Sequence, residues 1–417
     1  MNSYDEKFKT SIKSTYFNKL LPQQQEFIRT KAYAHKFSFQ QLRLIIEMAN
    51  DLEMWGERNI IDIWPEHQHA KVVLQRITKI YEELKNKPNS YEGFDPSILR
   101  SEQKFKFVTK EKEGFGLGMC PVASEETRCC NLMTLDAVES CGFDCSYCTI
   151  QSFYKQDKIS FDSTFTQKLK NLQLDPGRTY HIGTGQSSDS LMWGNREGVL
   201  DALFDFARSN ENVILEFKTK SDNIKYFLEN EVPKNIICTW SLNTPVIIEN
   251  EEHLAASLEK RIDSARALAD KGVIVGFHFH PIVEYENYLQ EYKEVYDELI
   301  ERFEPDEVSL ISMGTLTFIK PVIQKLRQRN FKSKILQMPF DDAAGKSSYP
   351  MQIKEEMFKH AYESFEPWHK KVFFYLCMED HSLWKKCFGY EYNTNTDLER
   401  DMVSSYCQKT GTEYIYF

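Results

Sequence analysis

The chain has 417 residues, of which 41% are hydrophobic and 27% are charged, and its formal net charge at pH 7 is −10. This is the composition of a globular protein with a large core, and no apolar run approaches the roughly 20 residues that a membrane-spanning helix requires. The acidic net charge gives no support for general electrostatic binding of nucleic acid. A local basic groove is compatible with it, because net charge averages over all faces of the protein.

The first ninety residues have a helical pattern. Apolar side chains recur at three- and four-residue spacing over 21–29 and 39–49, with Ser38 as N-cap of the second helix, and a further helix is predicted over 69–85. Residues 88–130 are rich in glycine and proline and read as irregular. We therefore predict a helical N-terminal region with an irregular, cysteine-containing connector over residues 1–130.

From residue 132 onward, apolar strand-type runs alternate with helical stretches. The runs lie at 133–138, 179–182, 213–217, 235–240, 273–279 and 307–311, and helices are predicted at 198–209, 254–271 and 289–303. Such alternation is typical of βα units around a parallel sheet. We predict an α/β fold, a partial (β/α)6 TIM-type barrel over 131–345 with a small C-terminal segment over 346–417. A doubly wound sheet is the alternative.

Three cysteines, Cys141, Cys145 and Cys148, follow the first predicted strand at Cys-x3-Cys-x2-Cys spacing. Three such thiolates can hold three irons of a cubane iron–sulfur cluster and leave the fourth iron open. The first seven residues of the chain lack the charged-then-apolar pattern of a signal peptide. We therefore expect a cytoplasmic protein with reduced thiols. Buried structural cysteines, a disulfide with a spare thiol, and a zinc site remain alternatives. For zinc, one of the upstream cysteines would supply the fourth ligand (Cys120, Cys129 or Cys130).

Polar residues follow the other predicted strands, at 183–189, 218–220, 241–243, 278–281 and 312–314. Because ligands gather at the carboxyl ends of parallel strands, we expect these residues to surround one site. A glycine-rich turn would expose backbone groups to an amino acid moiety, and Lys220 would pair with its carboxylate. Each of these residues alone also has an ordinary structural explanation, such as a tight turn or a solvated lysine.

The cysteine loop, with Tyr147 before the third cysteine, resembles that of the radical S-adenosylmethionine superfamily. Four further motifs between about residues 132 and 316 resemble the spore photoproduct lyase family within it: EFKTK at 216–220, WSLN at 240–243, LEKRI at 258–262 and GFHFHPI at 276–282. The segment 39–57 resembles the longer relatives of that lyase.

This resemblance implies a [4Fe–4S] cluster on Cys141, Cys145 and Cys148, with S-adenosylmethionine chelated at the open iron. One electron, from a donor such as ferredoxin or flavodoxin, would then yield a 5′-deoxyadenosyl radical that takes hydrogen from the substrate. The positions expected to contact S-adenosylmethionine are Gly183, Gly185, Ser187, Lys220, Ser241, Asn243 and His278.

Two departures from the family concern the reaction itself. Gln186 stands where the DNA-repairing lyases carry a hydrogen-donating cysteine, and Thr149 replaces the second of two tyrosines that flank the third cysteine. The candidate catalytic positions are therefore Tyr147, Gln186, Cys129 and Cys130. We predict a radical enzyme with an unidentified substrate. The alternatives are a true repair lyase for 5-thyminyl-5,6-dihydrothymine and a non-enzymatic metal-binding or sensing module.

Overall fold

The computed structural model describes residues 3–66, 69–96, 105–114, 116–120, 126–152 and 158–415. The N-terminal region is helical, as predicted, and comprises α1 (Ser3–Ile12), α2 (Pro22–His35), α3 (Phe39–Met54) and α4 (Ala70–Asn86). Ser38 caps α3: its Oγ accepts from Gln41 N at 3.3 Å, and the Gln41 side chain accepts from Ser38 N at 2.9 Å. This reciprocal pair explains why the helix begins there.

Strands also occur in the connector, which was predicted to be irregular. They are β1 (Lys106–Lys110) and β2 (Leu117–Met119), followed by β3 (Met133–Leu135), β4 (Val138–Glu139) and β5 (Lys158–Asp162). The predicted strand over 133–138 is divided into β3 and β4. Between them, the Asp136 carboxylate turns aside to accept hydrogen bonds from Ser187 N and Ser187 Oγ, both at 2.8 Å. As a result, β4 leaves the main sheet and joins a small sheet in the order β1-β5-β4.

The main sheet is built from β3, β6 (Tyr180–Thr184), β7 (Val213–Thr219), β8 (Ile236–Ser241), β9 (Ile274–Ile282) and β10 (Val308–Thr315). These six strands lie side by side and are parallel, which confirms the predicted partial barrel. Their apolar runs are continuous because both faces of the sheet are covered, and all eight residues of β10 are buried.

Two strands extend this sheet beyond the prediction. At one edge β2 pairs antiparallel with β3. At the other edge β14 (Phe373–Leu376) pairs parallel with β10, with Leu310 opposite Phe373. The segment after the predicted barrel boundary thus supplies part of the barrel wall. The short strands β11 (Thr317–Phe318), β12 (Asp341–Ala343) and β13 (Lys346–Ser348) form a separate antiparallel sheet.

The remaining helices are α5 (Phe165–Lys170), α6 (Val199–Ser209), α7 (Lys225–Glu229), α8 (Pro245–Glu251), α9 (Leu258–Asp270), α10 (Tyr288–Arg302), α11 (Lys320–Gln328), α12 (Met351–Ser364), α13 (His381–Phe388) and α14 (Asn395–Thr410). The predicted helices correspond to α6, α9 and α10. Within the described part of the chain, none of the helices is long and apolar enough to cross a membrane.

Candidate functional site

The cysteine loop, residues 140–149, lies at the carboxyl ends of the barrel strands and is fixed to the end of α8. Ser146 N donates to Glu251 O at 2.8 Å, and Leu254 N donates to Phe143 O at 3.1 Å. Cys145 forms a β-bridge with Glu252, and Cys148 N donates to Cys145 O at 3.1 Å. The main chain that carries the three thiols is therefore held by residues 251–254.

Close packing also constrains this loop. A Cβ atom on Gly142 would lie 2.5 Å from Met192 Cε and 2.9 Å from the Trp193 ring, so a larger residue would have to displace both side chains. Ser140 and Asp144 have positive φ values of 75° and 54°. The Asp144 carboxylate accepts from Arg329 Nη2 at 2.7 Å, which secures this strained turn.

The three thiols lie close enough to influence one another. Burial raises the pKa values of Cys141 and Cys145, and each is raised further by its neighbouring thiols, while Lys220 opposes the rise at Cys145. A bound cation would have to displace these protons, as thiolate ligation always requires. No three described His, Cys, Asp or Glu side chains meet at a single-ion site. In a cubane, however, each cysteine binds a different iron, so the three thiols of this loop suit a [4Fe–4S] cluster.

Lys220 and Tyr147 belong to a buried ionic network beneath the loop. The Lys220 ammonium lies 2.7 Å from Glu252 Oε1 and donates to Tyr147 Oη at 2.5 Å, and the Tyr147 hydroxyl donates to Glu252. Arg261 Nη2 donates to the other Glu252 oxygen at 2.5 Å. Burial alone would raise the pKa of Glu252, but Arg261 and Lys220 lower it to about 2. Lys220 is thus placed beside the cysteine loop, with its charge already paired.

The glycine-rich turn after β6 has a conformation that requires glycine. Gly185 has φ +82°, and a Cβ there would lie 2.5 Å from Ser190 Oγ and 2.8 Å from Lys218 O. A Cβ on Gly183 would meet the Leu132 side chain at 3.1 Å. Ser187 lies just beyond the turn, with its amide and hydroxyl bound to Asp136. At Gly183 and Gly185 the chain therefore passes close to Leu132, Ser190 and Lys218.

Asp189 was predicted only as part of the polar run 183–189, and the structure gives it a structural role of its own. Its Oδ1 accepts from Leu191 N at 2.9 Å and Met192 N at 2.8 Å, and its Oδ2 accepts from Lys220 N at 2.7 Å. This carboxylate joins the turn after β6 to the end of β7. The Ser-Ser-Asp sequence after a strand was the signal available for it, because aspartate side chains organise turns in this way.

A cavity of about 220 Å³ opens at the carboxyl ends of the strands. Five of the predicted site residues line it: Cys129, Cys130, Gln186, Ser241 and His278. Its other lining residues are Cys120, Leu132, Lys218, His280, Tyr375, Cys377 and Met378. Lys218 and His280 belong to the strand-end runs 218–220 and 278–281, which were expected to surround one site. No local signal marks Tyr375.

His278 reaches the cavity from β9 with both ring nitrogens engaged. Nε2 lies 2.8 Å from Glu216 Oε1, and Nδ1 lies 2.5 Å from Ser312 Oγ. Glu216 also bonds His181 Nε2 at 2.8 Å and lies 3.6 Å from the Lys218 ammonium. Burial lowers the pKa of His278, and the Glu216 hydrogen bond opposes that effect. The residue thus fixes the floor of the cavity through a buried polar network.

Cys129 and Cys130 form a hydrogen-bonded thiol pair in the cavity wall. The hydrogen bond from Cys130 lowers the pKa of Cys129 to about 6, while the same bond and burial raise the pKa of Cys130. Cys129 N donates to Asn395 Oδ1 at 3.0 Å, and Arg128 Nε donates to Tyr392 O at 2.7 Å. The C-terminal segment thus holds this pair in place.

Asn243 is not brought into the cavity. Its side chain is fully buried, with Nδ2 donating to Pro281 O at 3.0 Å and Oδ1 accepting from the Tyr292 hydroxyl at 2.5 Å. Ser241 is the residue of this strand end that lines the cavity, and its carbonyl accepts from Arg261 Nη1 at 2.8 Å. Asn243 therefore stabilises the strand end through buried hydrogen bonds to Pro281 and Tyr292.

Comparison with known proteins agrees with this architecture. The family model "spore photoproduct lyase" matches residues 132–352. Spore photoproduct lyase of Clostridium acetobutylicum is 26% identical over 223 residues, covering 52% of this chain and 64% of that protein. The protein of the same name from Geobacillus sp. strain Y412MC61 is 23% identical, covering 47% and 59%. The chain thus spans less than two thirds of the length of these relatives.

Solved structures show the same fold. Spore photoproduct lyase complexed with dinucleoside spore photoproduct superimposes with a TM-score of 0.56 at 16% identity, covering 74% of this chain and 94% of that one. A double mutant of that lyase with bound AdoMet and dinucleoside spore photoproduct gives a TM-score of 0.55 at 16% identity, with 72% and 94% covered. Since the family model matches more than half of the residues, this chain belongs to the spore photoproduct lyase family.

Proposed function

We propose that this protein is a radical S-adenosylmethionine enzyme that cleaves its cosubstrate reductively with a [4Fe–4S] cluster. When bound, the cluster would supply one electron to S-adenosylmethionine, and the resulting 5′-deoxyadenosyl radical would take a hydrogen atom from the substrate. Cys141, Cys145 and Cys148 would hold the cluster. The family relationship and the AdoMet found in a related structure support this proposal.

The observation that carries the proposal is the position of the cysteine loop. The loop is fixed to the end of α8 beside Lys220, and Arg261 connects Glu252 of that network to Ser241, which lines the cavity with Gln186 and His278. Ligand chemistry in barrels of this kind takes place at the carboxyl ends of the strands. Gly183 and Gly185 form the turn after β6, which packs against Leu132, Ser190 and Lys218. We propose that the cosubstrate lies between the loop and the cavity, with its amino acid moiety toward Lys220.

Anaerobic reconstitution tests this function directly. Protein purified without oxygen and reconstituted with iron and sulfide should release 5′-deoxyadenosine and methionine when given S-adenosylmethionine and dithionite. Replacement of Cys141, Cys145 or Cys148 by alanine should abolish release, whereas Cys387→Ala, which changes a buried cysteine on α13, should retain it. Absence of 5′-deoxyadenosine from the wild-type protein would refute the proposal. Reduced ferredoxin or flavodoxin should replace dithionite.

Repair of the thymine photoproduct is a second candidate, which the matching family model and the named relatives favour. Gln186 has no weak X–H bond to give to a carbon radical, so the hydrogen would have to come from another group. The cavity offers Cys129 and Cys130 for this role, with Tyr147 in the adjacent loop. If the protein repairs the photoproduct, one of these thiols would donate the hydrogen atom that Gln186 cannot supply.

Irradiated, dehydrated DNA distinguishes the two candidates. The reconstituted enzyme should convert 5-thyminyl-5,6-dihydrothymine to thymine if it is a repair lyase, and Cys130→Ala should slow that conversion if its thiol is the donor. Unchanged photoproduct alongside continued release of 5′-deoxyadenosine would eliminate repair and leave the radical enzyme with a different substrate.

A further inference from the structure

A buried glutamate connects the cysteine loop to the N-terminal helical region. Glu251 ends α8 and is fully buried, and its main-chain carbonyl accepts from Ser146 N in the loop at 2.8 Å. The Ser146 side chain also hydrogen-bonds its carboxylate, which has three further partners outside the loop. Oε1 accepts from the Tyr91 hydroxyl at 2.8 Å and from Lys334 N at 2.9 Å, and Oε2 accepts from Ser333 Oγ at 2.6 Å. Every one of these partners belongs to a different part of the chain from the barrel strands.

Residues 327–337, here named the bridging segment, lie between the N-terminal helices and the loop. Arg327 pairs with the buried Asp51 of α3 through two hydrogen bonds of 2.8 and 2.6 Å. Ser333 N donates to Met54 O at 2.9 Å. At its other side the bridging segment reaches the loop directly, because Arg329 Nη2 donates to Asp144 Oδ1 at 2.7 Å.

Lys334 and Gln337 complete the attachment to the N-terminal region. The Lys334 ammonium lies 3.2 Å from Glu57 Oε1, to which Gln337 Nε2 donates at 2.8 Å. Tyr91 itself follows α4 and packs edge-on against Tyr285 of the barrel, with ring centroids 5.8 Å apart. The loop, Glu251, the bridging segment and the N-terminal helices therefore form one continuous chain of buried polar contacts.

We propose that Glu251 is a positioning residue through which the N-terminal helical region fixes the geometry of the cysteine loop. The inference rests on the proposed function only in assigning this loop to a cluster. Residues 3–96 lie outside the 132–352 match to the family model, so the helices that anchor the bridging segment are not part of the matched region. The support matters because ligand geometry and hydrogen bonding around a cluster set its stability and potential.

Tyr91→Phe is the sharpest test, since it removes one hydrogen bond to Glu251 and leaves the ring packing intact. In the metal-free protein, hydrogen exchange in peptides covering 140–150 should become about fivefold to tenfold faster, as expected for loss of one buried hydrogen bond. Peptides from β7 to β9 should not change. Ser333→Ala removes a different bond to Glu251 and should act in the same direction.

Tyr288→Phe is the matched control, because the Tyr288 hydroxyl also donates to a carboxylate, that of Glu356 at 3.2 Å, but lies on α10. Equal exchange of the 140–150 peptides in the wild type, Tyr91→Phe and Ser333→Ala would overturn the proposal.

Reconstituted protein provides a second readout. Release of iron to a chelator should be about fivefold to tenfold faster in Tyr91→Phe than in Tyr288→Phe, with an altered electron paramagnetic resonance spectrum of the reduced cluster. Identical release and spectra would count against the proposal. If the wild type assembles no cluster, the proposed function fails, and the exchange experiment still decides the role of Glu251.

Discussion

Glu252 shows how a single buried carboxylate can organise charges at a site. It is fully buried, yet Arg261 and Lys220 keep its pKa at about 2, below its ordinary 4.5. Tyr147 donates its hydroxyl to the same group. An incoming anion at Lys220 would share this lysine with Glu252, which holds the ammonium in place before any ligand arrives.

Replacing Glu252 by glutamine should lower the free energy of unfolding at pH 7 by about 3 kcal/mol, because Arg261 would be left buried without a countercharge. Urea unfolding measures this change. Glu249→Gln, at an exposed position on α8, the helix that Glu252 directly follows, is the control and should be nearly neutral.

The same residue predicts a pH dependence. Its pKa is lower in the folded protein than in the unfolded chain, so its contribution is complete above about pH 4.5 and is lost as the pH falls toward 2. The free energy of unfolding of the wild type should fall as the pH drops through that interval, and that of Glu252→Gln should change less. Parallel pH profiles for the two proteins would contradict the assignment.

The thiol pair makes a separate prediction at the residue scale. With a pKa of about 6, Cys129 should react with iodoacetamide at a rate that is half-maximal near pH 6, whereas ordinary cysteines reach that point near pH 8.5. Cys130→Ala removes the hydrogen-bond donor and should move the midpoint up by about one unit or more. Mass spectrometry of the alkylated peptide gives the rate, with Cys387→Ala as the control. A midpoint that Cys130→Ala leaves unchanged would show that the hydrogen bond is not the cause.

At the scale of elements, the strands were easier to predict than their contacts. A strand buried on both faces needs a continuous apolar run, so the run at 213–217 marked β7 well. By contrast, β14 has only four residues, and its place in the sheet depends on pairing with β10, more than sixty residues earlier in the chain. The pairing of Lys220 with Glu252 was similarly out of reach, because it depends on where α8 ends.

The turn after β6 offers a direct test of element geometry. Gly185→Ala should destabilise the protein by about 2–3 kcal/mol, because the new Cβ would meet Ser190 Oγ and a main-chain oxygen at a positive φ. Gly118→Ala is the matched control, since its nearest neighbour would be 4.0 Å away. Thermal or urea unfolding compares the two, and equal stabilities would show that the turn relaxes without cost.

At the scale of the whole molecule, the net charge of −10 limits the range of partners. Undamaged duplex DNA should not saturate the protein below about 10 µM at 150 mM salt, because non-specific binding depends on clustered cations. Fluorescence anisotropy with a labelled duplex measures this affinity. A dissociation constant below 1 µM with a steep salt dependence would instead reveal a local basic groove.

The cysteine loop and the strand-end motifs could be found from the sequence, whereas the contacts that close the cavity wall could not. The cysteine spacing and the strand-end motifs lie within 132–352, the region that matches the family model. The thiols of the cavity wall, Cys120, Cys129, Cys130 and Cys377, lie outside that region. Cys129 and Cys130 were predicted site residues, and their proximity to Cys377 depends on β14 joining the sheet.

The attachment of the cavity wall to the C-terminal segment has a consequence for biosynthesis. Cys129 bonds Asn395, a residue 266 positions later in the chain. Translation therefore completes the cysteine loop and its upstream thiols long before the residues that enclose them have left the ribosome. During that interval the nascent thiols lack the C-terminal residues that later bury them, so they are more accessible to oxidants and metal ions than in the folded protein.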